Sequence, residues 1–361
     1  MATRTTATIG NIFDLLKLKL PDGSPLTSIV NALAERDDFQ RFTPTIAAND
    51  GTSHRGVRTV TLPTGYLVDV GGSWKASKSQ REPFVEGMAT IRSTYQAPVD
   101  TFQVERPETG KALLRAEKLD HVMTLNQQLS NLMLNGSSTT SAQVLTAGTS
   151  QSAIVGIAER DPYLTVDNKF TFSVGGTGTN LRSCWLMKPG IDTLHMIHNG
   201  NHPSLGISQE DMGRQLIDGL GTSSDEHRWD ILIEFALQRG IFVRDQRALK
   251  RIANVPSGPS DTPGADLINT IIRASIINAP TGGVMQVEAN GRKTDTPAPW
   301  LLMCDEWLFS HLVVEANNKL MVFRSPENIY QTDLPMIGPN IIIARWDALN
   351  RDLGDGEATV S

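Results

Sequence analysis

Three histidines spaced three and four residues apart are the candidates closest to a metal site. They are His195, His198 and His202. Imidazole is a common Zn²⁺ ligand, and this spacing could bring three rings together on one helix. Asn199-Gly200 and Pro203 break any helix there, however, and no carboxylate lies among the histidines to complete a site. The pattern therefore favours histidines of loops or strands over a metal centre.

Other residues with catalytic potential are isolated in the sequence. Gly176-Thr177-Gly178 lacks the third glycine and the following helix of a dinucleotide-binding turn. Asp225-Glu226-His227 and Asp305-Glu306 are interpreted as solvated or helix-capping charges. The chain has no nucleophile elbow, no P-loop, no Cys-x-x-Cys and no His-Glu-x-x-His. The sequence predicts no catalytic residue, no cofactor and no metal site, and so no enzyme.

Composition narrows the class of protein. The 361 residues suffice for more than one domain, and a net charge of −6 argues against a dedicated nucleic-acid binder. Cys184 and Cys304 lie in apolar runs, which predicts buried free thiols in a reducing compartment. No stretch approaches the ~18 apolar residues of a membrane span. The start, MATRTTATIG, lacks the apolar core of a signal peptide, so we expect the chain to stay where it is made.

A long helix is the dominant predicted element. Pro107 suits a first helical turn, and Gly136 suits a left-handed cap after the last one, which predicts a helix over 107–135. Apolar residues at helical spacing form one face: Leu119, Val122, Met123, Leu125, Leu129, Leu132 and Met133. The opposite face is polar: Lys111, Arg115, Lys118, Gln127 and Asn131. We expect this helix to lie on a sheet or on a partner.

The segments before this helix cannot bury their own apolar faces. Residues 1–50 contain two short helix-like pieces, 9–20 and 24–36, and Asp37-Asp38 and Pro44 are expected to close the second. Residues 51–103 are expected to form a long two-stranded excursion with a flexible tip, its first strand running from Val57 to Leu62. To bury their apolar side chains, both regions therefore need to pack against another part of the chain or another subunit.

After the long helix, the pattern predicts an α+β arrangement. Residues 137–153 are a Ser/Thr-rich loop, and 188–230 form a glycine- and polar-rich stretch with a turn at Asn199-Gly200-Asn201. A linker at 256–259 indicates a domain boundary. Strands are expected within 170–187, within 229–254, at 300–304 and through 341–343, with helices at 265–278 and 306–317.

Three stretches carry a resemblance to a known family. They are LPTGYLVDVGGSWKASKS (62–79), SCWLMKPGIDTLHMIHNGNHPSLGI (183–207) and FALQRGIFVRDQRALKRIANV (235–255). Together with the order of arm, excursion, long helix and α/β region, they resemble major capsid proteins of tailed double-stranded DNA bacteriophages. These have the HK97-like fold, and the resemblance is to the short-tailed epsilon15 and Bordetella-phage type.

The resemblance implies names for the regions. Residues 1–50 would be the N-terminal arm and 51–103 the E-loop. Residues 104–255 would be the P-domain, with the spine helix at 107–135 and inserted strands and loops. Residues 256–361 would be the A-domain, whose final strands return to the P-domain.

The resemblance also implies a function and partners. The chain would self-assemble, in hundreds of copies arranged as pentamers and hexamers, into an icosahedral head with packaged double-stranded DNA against its inner face. Scaffolding, portal and decoration proteins would be further partners, and no membrane is involved. The protein would reside in the virion, after a stay in the host cytoplasm. An encapsulin-like compartment shell and an unrecognised cytosolic enzyme remain as alternatives.

Two groups of residues are predicted to contact neighbouring subunits. In the tip of the excursion, Trp74 is expected to be the apolar anchor, accompanied by Lys75, Lys78 and Arg81. In the second group, charged residues alternate with Ile241, Val243 and Ile252, which predicts one buried and one basic face. The charged residues of this second group are Arg244, Asp245, Arg247, Lys250 and Arg251. Its basic face, with Arg244, Arg247 and Arg251, is expected to pair with acidic groups of a neighbour, and a solvated strand face is the alternative.

Overall fold

The computed structural model of the chain describes residues 37–51, 53–100, 107–136, 154–178, 180–201, 205–218, 227–257, 265–280, 300–318, 336–337, 341–350, 357 and 359–360. The two N-terminal helix-like pieces and the loop at 137–153 lie outside these residues, so the structure leaves those predictions untested. Among the described helices, none is both long enough and apolar enough to cross a membrane.

The described elements form three sheets and four α-helices. In chain order they are α1 (Asp38–Phe42), β1 (Thr45–Ala47), β2 (Ser53–Thr61), β3 (Gln80–Gly87), β4 (Ala89–Pro98), α2 (Pro107–Asn135), β5 (Thr171–Ser173), β6 (Leu181–Met187), β7 (Leu194–His198), β8 (Ile207–Asp218), β9 (His227–Val243), β10 (Leu249–Pro256), α3 (Ala265–Ile276), β11 (Trp300–Cys304), α4 (Glu306–Asn318), β12 (Met336–Ile337) and β13 (Ile341–Arg345). Short 3₁₀ turns lie at Ile157–Glu159, Gln246–Ala248 and Asp347–Leu349.

Strand β9 organises a five-stranded sheet. Along one edge it pairs with β4, and along the other it pairs with β8 and then with β7, all antiparallel. Strand β1 extends the sheet by parallel pairing with β7. The polar stretch 188–230 thus contains β7 and β8, which its composition did not indicate, because most of the β8 side chains are exposed or half-exposed.

A six-stranded sheet has the order β12-β13-β11-β6-β10-β5. Its central strand β6 is buried throughout, because helices or sheet cover both faces. Cys184 and Leu186 point towards α3 and α4, whereas Trp185 and Met187 belong to the core shared with α2 and the five-stranded sheet. Both cysteines are buried and free, as predicted.

The long helix α2 has the predicted bounds, Pro107–Asn135. It packs on β4 and β9, and Leu125, Leu129 and Leu132 are buried in the core. Leu119 is wrongly placed in the buried stripe, since 65% of it is exposed. At 3.6 residues per turn it lies roughly 80° around the helix from Leu129, beyond the covered face.

Gly136 ends this helix for a different reason from the predicted one. Its φ is outside the left-handed region, and its N–H donates to the carbonyl of Leu132 at 2.8 Å. A Cβ at Gly136 would lie 2.5 Å from that carbonyl oxygen, and one at Gly156 would lie 2.4 Å from the Gly136 nitrogen. Because neither glycine has a side chain, the backbone at Gly156 can pack directly against the C-terminal end of α2.

The predicted two-stranded excursion is present as β2 paired with β3. We call residues 53–87 the hairpin and residues 62–79 its tip. The register pairs Ser53 with Gly87 and Arg58 with Glu82, and neither strand belongs to another sheet. The excursion is shorter than the predicted 51–103, because β4 joins the five-stranded sheet through β9.

The described end of the predicted arm packs on its own subunit. Asp37 accepts a hydrogen bond from the Gln40 N–H at 3.1 Å and so caps the start of α1, whereas the helix it was predicted to close, 24–36, lies outside the described residues. Phe39 is buried and stacks on Trp346 with ring centroids 4.9 Å apart. Residues 37–47 therefore contribute to the core of the subunit through Phe39 and Phe42.

The C-terminal elements agree with the predicted pattern, but the boundary at 256 does not separate two sheets. Strands β6 and β10 lie in the same sheet as β11 and β13. The last long strand, β13, pairs in parallel with β11 and not with the five-stranded sheet. A division of the chain by sheets would therefore group residues from about 171 to 187 and 249 to 256 with the C-terminal segment.

Candidate assembly surfaces

Aromatic packing fixes the root of the hairpin to the five-stranded sheet. Phe84 of β3 stacks on Phe242 of β9 with centroids 5.1 Å apart, and His54 of β2 meets the same ring edge-on at 4.4 Å. Gly56 brings the hairpin backbone close, because a Cβ there would lie 2.7 Å from the Phe242 ring. Sequence patterns gave no signal for this contact, since the partners are far apart in the chain.

An ion pair adds a second attachment at the root. Arg160 donates to both carboxylate oxygens of Glu86, at 2.5 and 2.9 Å, and to the carbonyl of Val155 at 3.0 Å. Both charged side chains are largely buried. Because breaking a buried pair leaves an uncompensated charge, this contact resists separation of the hairpin from the core.

The tip differs from the root because its large apolar side chains face solvent. Trp74 is 74% exposed, and Leu67 and Val70 are fully exposed. The sequence predicts Trp74 alone as the apolar anchor of the tip, but Leu67 and Val70 are exposed there as well. Further exposed apolar residues of the hairpin are Val57, Val60, Leu62, Tyr66, Val68 and Val85.

The predicted basic residues of the tip are also exposed. Lys75 and Lys78 lie in the irregular part of the tip, and Arg81 is in β3 opposite Thr59. Gly71 has φ +86°, a conformation that a residue with a side chain rarely adopts. The tip thus combines exposed apolar groups, positive charge and a backbone turn that depends on glycine.

Two arginines of the second basic group are on the surface. Arg244 donates to Asp192 at 2.9 Å, and Arg247 binds Asp245 through two hydrogen bonds of 2.8 and 3.0 Å. About half of the Arg244 side chain and two fifths of the Arg247 side chain stay exposed. These arginines can therefore reach a neighbouring molecule.

Lys250 and Arg251 do not lie on an exposed face, so the predicted alternation is wrong for β10. Every residue from Leu249 to Val255 is buried. Lys250 donates to the carbonyls of Ala274 and Ile277 at the end of α3, which caps that helix. Burial lowers the pKa of Lys250 to about 8.

The guanidinium of Arg251 is satisfied within the subunit. It donates to Glu357 at 2.8 Å, to the Ser183 hydroxyl at 3.1 Å and to the Tyr163 carbonyl at 3.2 Å. It also lies over the Trp185 ring, 5.6 Å from the centroid. The physical reason is that β10 is an interior strand, covered on both faces and paired on both edges.

Of the three histidines considered for metal binding, His195 and His198 are described and have separate environments, whereas His202 lies outside the described residues. His195 is buried against Phe242, at 5.0 Å between ring centroids, and His198 Nδ1 donates to the backbone carbonyl of Asn199 at 3.0 Å. Burial, and then the nearby His54, lowers the pKa of His195 to about 4. Within the described residues, no three His, Cys, Asp or Glu side chains are grouped to hold a metal ion.

Asp305 caps α4 by accepting from the Leu308 N–H at 2.9 Å, as the capping interpretation predicted.

Comparison with protein families identifies the chain. The family model described as Major capsid protein GP7 matches residues 21–329, which is most of the sequence. The chain belongs to this family. As a major capsid protein, it is a structural component of a bacteriophage virion that assembles in many copies. The family match confirms the resemblance drawn from the three sequence stretches.

Two solved phage capsid structures have folds similar to that of this chain. The bacteriophage Epsilon15 structure is 16% identical, with a TM-score of 0.63 and 99% of both chains covered. The bacteriophage JBD30 capsid is 12% identical, with a TM-score of 0.50 over 89% of this chain and 93% of that one. Both likenesses support the predicted α+β, HK97-like fold. The SrpI encapsulin of Synechococcus elongatus PCC 7942 is 8% identical, with a TM-score of 0.35 over 63% of this chain and 93% of that one. A search of curated proteins found no significant match.

Proposed function

We propose that the capsid subunit forms an icosahedral head, with pentamers and hexamers, that encloses packaged double-stranded DNA. The observation that carries this proposal is the hairpin, whose large apolar side chains are exposed although its root is rigidly attached. Contiguous exposed apolar surface on a folded protein commonly marks an interaction site. A second copy of the same chain is the partner that a major capsid protein always has available.

The hairpin suits contact with a neighbour for energetic reasons. Leu67, Val70 and Trp74 contribute little to the stability of the isolated subunit, because Leu67 and Val70 are fully exposed and Trp74 is 74% exposed. On another subunit, a buried aromatic anchor contributes about 2 kcal/mol or more. The hairpin is thus the E-loop of this subunit, and Trp74 is its main intersubunit anchor.

Charged residues supplement this contact. Lys75, Lys78 and Arg81 on the hairpin, with Arg244 and Arg247 beyond β9, are proposed to meet acidic groups of adjacent copies. Each such pair is weak, about 0–1 kcal/mol, but repetition over a shell adds up. Arg251 is withdrawn from this group because its partners lie within the subunit.

The remaining regions follow the same division of roles. Residues before Asp37 act as the arm, α2 is the spine helix of the P-domain, and the six-stranded sheet with α3 and α4 is the axial A-domain. The subunit has no catalytic activity and is located in the host cytoplasm before assembly. Scaffolding, portal and decoration proteins join it in the head, with DNA against the inner face.

The apolar surface of the tip can be tested by a triple substitution. We expect Leu67→Ser, Val70→Ser and Trp74→Ser together to leave the melting temperature of the subunit within the error of measurement, because exposed positions rarely change stability by more than about 0.5 kcal/mol. The same protein should fail to form closed shells in negative-stain electron micrographs.

A matched variant separates loss of apolar surface from mere alteration of the tip. Leu67→Ile, Val70→Ile and Trp74→Phe retain the apolar character, so this protein should still assemble. Normal shells from the serine variant would contradict the role of the hairpin. Double-stranded DNA within the particles isolated from infected cells distinguishes a phage head from a compartment shell around an enzyme.

A further inference from the structure

A corner of the six-stranded sheet holds the end of the chain. We call it the tail corner, and it consists of five residues around the start of β6 and a bulge in β10: Gly178, Leu181, Ser183, Arg251 and Asn254. Three residues near the C-terminus bind it: Glu357, Thr359 and Val360. The contacts are hydrogen bonds to both the backbone and a side chain of the bound segment.

The backbone of the bound segment extends the sheet. The Glu357 N–H donates to the Leu181 carbonyl at 2.7 Å, and the Leu181 N–H donates to the Glu357 carbonyl at 3.3 Å. Among the described strands, β11 pairs with β6 only from Trp185 onwards, which leaves this edge at the start of β6 to Glu357. An extended peptide that pairs with such an edge is a common mode of peptide recognition.

The corner selects an acidic side chain. The Glu357 carboxylate accepts from the Arg251 guanidinium at 2.8 Å and from the Ser183 hydroxyl. The Arg251 and Glu357 side chains are only 10% and 18% exposed. A neutral or basic side chain in this position would leave the buried Arg251 charge without its carboxylate.

The side-chain amide of Asn254 binds the backbone of Val360 through two hydrogen bonds. Its Oδ1 accepts from the Val360 N–H and its Nδ2 donates to the Val360 carbonyl, both at 2.9 Å. The second Nδ2 hydrogen goes to the Ser173 hydroxyl at 2.9 Å, so every polar group of this amide is used. Asn254 has φ +60° at the β-bulge, a conformation that asparagine tolerates better than most residues.

Thr359 provides the last contacts, and none of the three bound residues belongs to the described apolar core. Its hydroxyl accepts from the Gly178 N–H at 3.0 Å, and its N–H donates to the Gly178 carbonyl at 3.2 Å. Segments held by hydrogen bonds with little apolar burial can open without global unfolding, although here the opening must also separate Arg251 from Glu357. The tail can therefore leave while the sheet stays intact.

We propose that the tail corner is a peptide-binding site for an extended acidic segment, whose resident ligand is the chain's own tail and which also accepts the tail of a second copy. The departure of one tail leaves the buried Arg251 unpaired and a strand edge open, and an identical tail satisfies both. This inference is independent of the role of the hairpin and of the proposed head.

The test uses the 361-residue chain with a substitution that weakens binding of its own tail to the tail corner. Glu357→Lys places a cation beside Arg251, which should vacate the corner. A fluorescent peptide of residues 351–361 should then bind this chain at least tenfold more tightly than it binds the wild type, where the resident tail competes. The same peptide with lysine in place of its glutamate should bind the Glu357→Lys chain at least tenfold more weakly, since it lacks the charge-assisted bonds.

A second opening variant and an acceptor variant complete the experiment. Thr359→Pro removes the three hydrogen bonds that this exposed residue makes with Gly178, and it should also increase binding of the labelled peptide. Asn254→Ala, added to either opened chain, should reduce that binding about tenfold, because the two hydrogen bonds to the backbone of Val360 are lost.

Fluorescence polarisation and circular dichroism decide the outcome. Binding by the opened chains, with the stated dependence on glutamate and Asn254, supports the proposal. Absence of peptide binding to opened chains that remain folded would overturn it. Loss of folding in both opened variants would overturn it as well, because the tail would then be an integral part of the sheet.

Discussion

Arg247 and Arg251 lie four residues apart in one basic run, yet they have different environments. Arg247 is 42% exposed in its side chain and pairs with Asp245 two residues away. Arg251 is buried among Glu357, Ser183 and Tyr163. The sequence predicted the same role for both, because charge and spacing alone do not reveal whether a strand lies inside a sheet. Burial of β10 depends on β5 and β6, which precede it by many residues.

The first prediction compares these two arginines. Arg251→Ala should lower the free energy of unfolding by about 3–5 kcal/mol, because it leaves the Glu357 carboxylate unpaired and removes three donors from a buried site. Arg247→Ala should change it by about 1 kcal/mol or less, since surface pairs contribute little. Urea denaturation of both variants measures the difference. Equal destabilisation would mean that the two arginines do not differ in burial.

The second prediction concerns pH and His195. Its pKa falls from 6.5 to about 4 on folding, mainly through burial, with the nearby His54 and Arg244 acting in the same direction. The unfolded chain therefore binds more protons than the folded chain between these values, so stability is fully present above pH 6.5 and is lost as the pH falls towards 4. A shift of this size corresponds to roughly 3 kcal/mol.

The substitution His195→Gln tests this dependence. Because glutamine does not titrate, the free energy of unfolding should fall less steeply between pH 6.5 and 4 than in the wild type. Chemical denaturation at several pH values gives the two slopes. Identical slopes would show that His195 is not responsible for acid sensitivity at the root of the hairpin.

At the scale of elements, the 29-residue helix α2 was the most predictable part of the fold. Its periodic apolar residues and Pro107 gave its bounds. The hairpin could also be expected, because β-formers flank a glycine-rich stretch. Its attachment through Phe84, Phe242 and the Glu86–Arg160 pair could not, since these contacts join distant segments and have no local pattern. Strand β8 was missed because its exposed face is polar.

The third prediction tests which face of α2 is buried. Leu129 is fully buried beneath β4 and β9, so Leu129→Asp would place an unpaired carboxylate in the core at a cost of several kcal/mol. We expect insoluble or unfolded protein. Asn131→Asp, on the exposed face two residues later, should leave the protein soluble and its thermal transition nearly unchanged. Circular dichroism and the soluble yield of both variants measure this, and similar yields would contradict the orientation.

At the scale of the whole molecule, the subunit is a stable core with surfaces that need neighbours. The sequence led to the capsid family because three stretches and the order of elements resemble it, whereas a search for catalytic motifs alone would have given no function. The apolar residues of the hairpin are the clearest unfilled surface among the described residues. In the proposed assembly, the residues that pack against the hairpin belong to a neighbouring copy, so neither the sequence nor the structure of one subunit identifies them.

Cryo-electron microscopy of shells assembled from the wild-type chain tests the central claim most directly. At side-chain resolution, the hairpin of each subunit should lie across an adjacent copy, with Trp74, Leu67 and Val70 within about 4.5 Å of apolar atoms of that copy. The root contacts of Phe84 and Glu86 should be retained. Hairpins that fold back on their own subunit, or that project into solvent with these three side chains still exposed, would contradict the account.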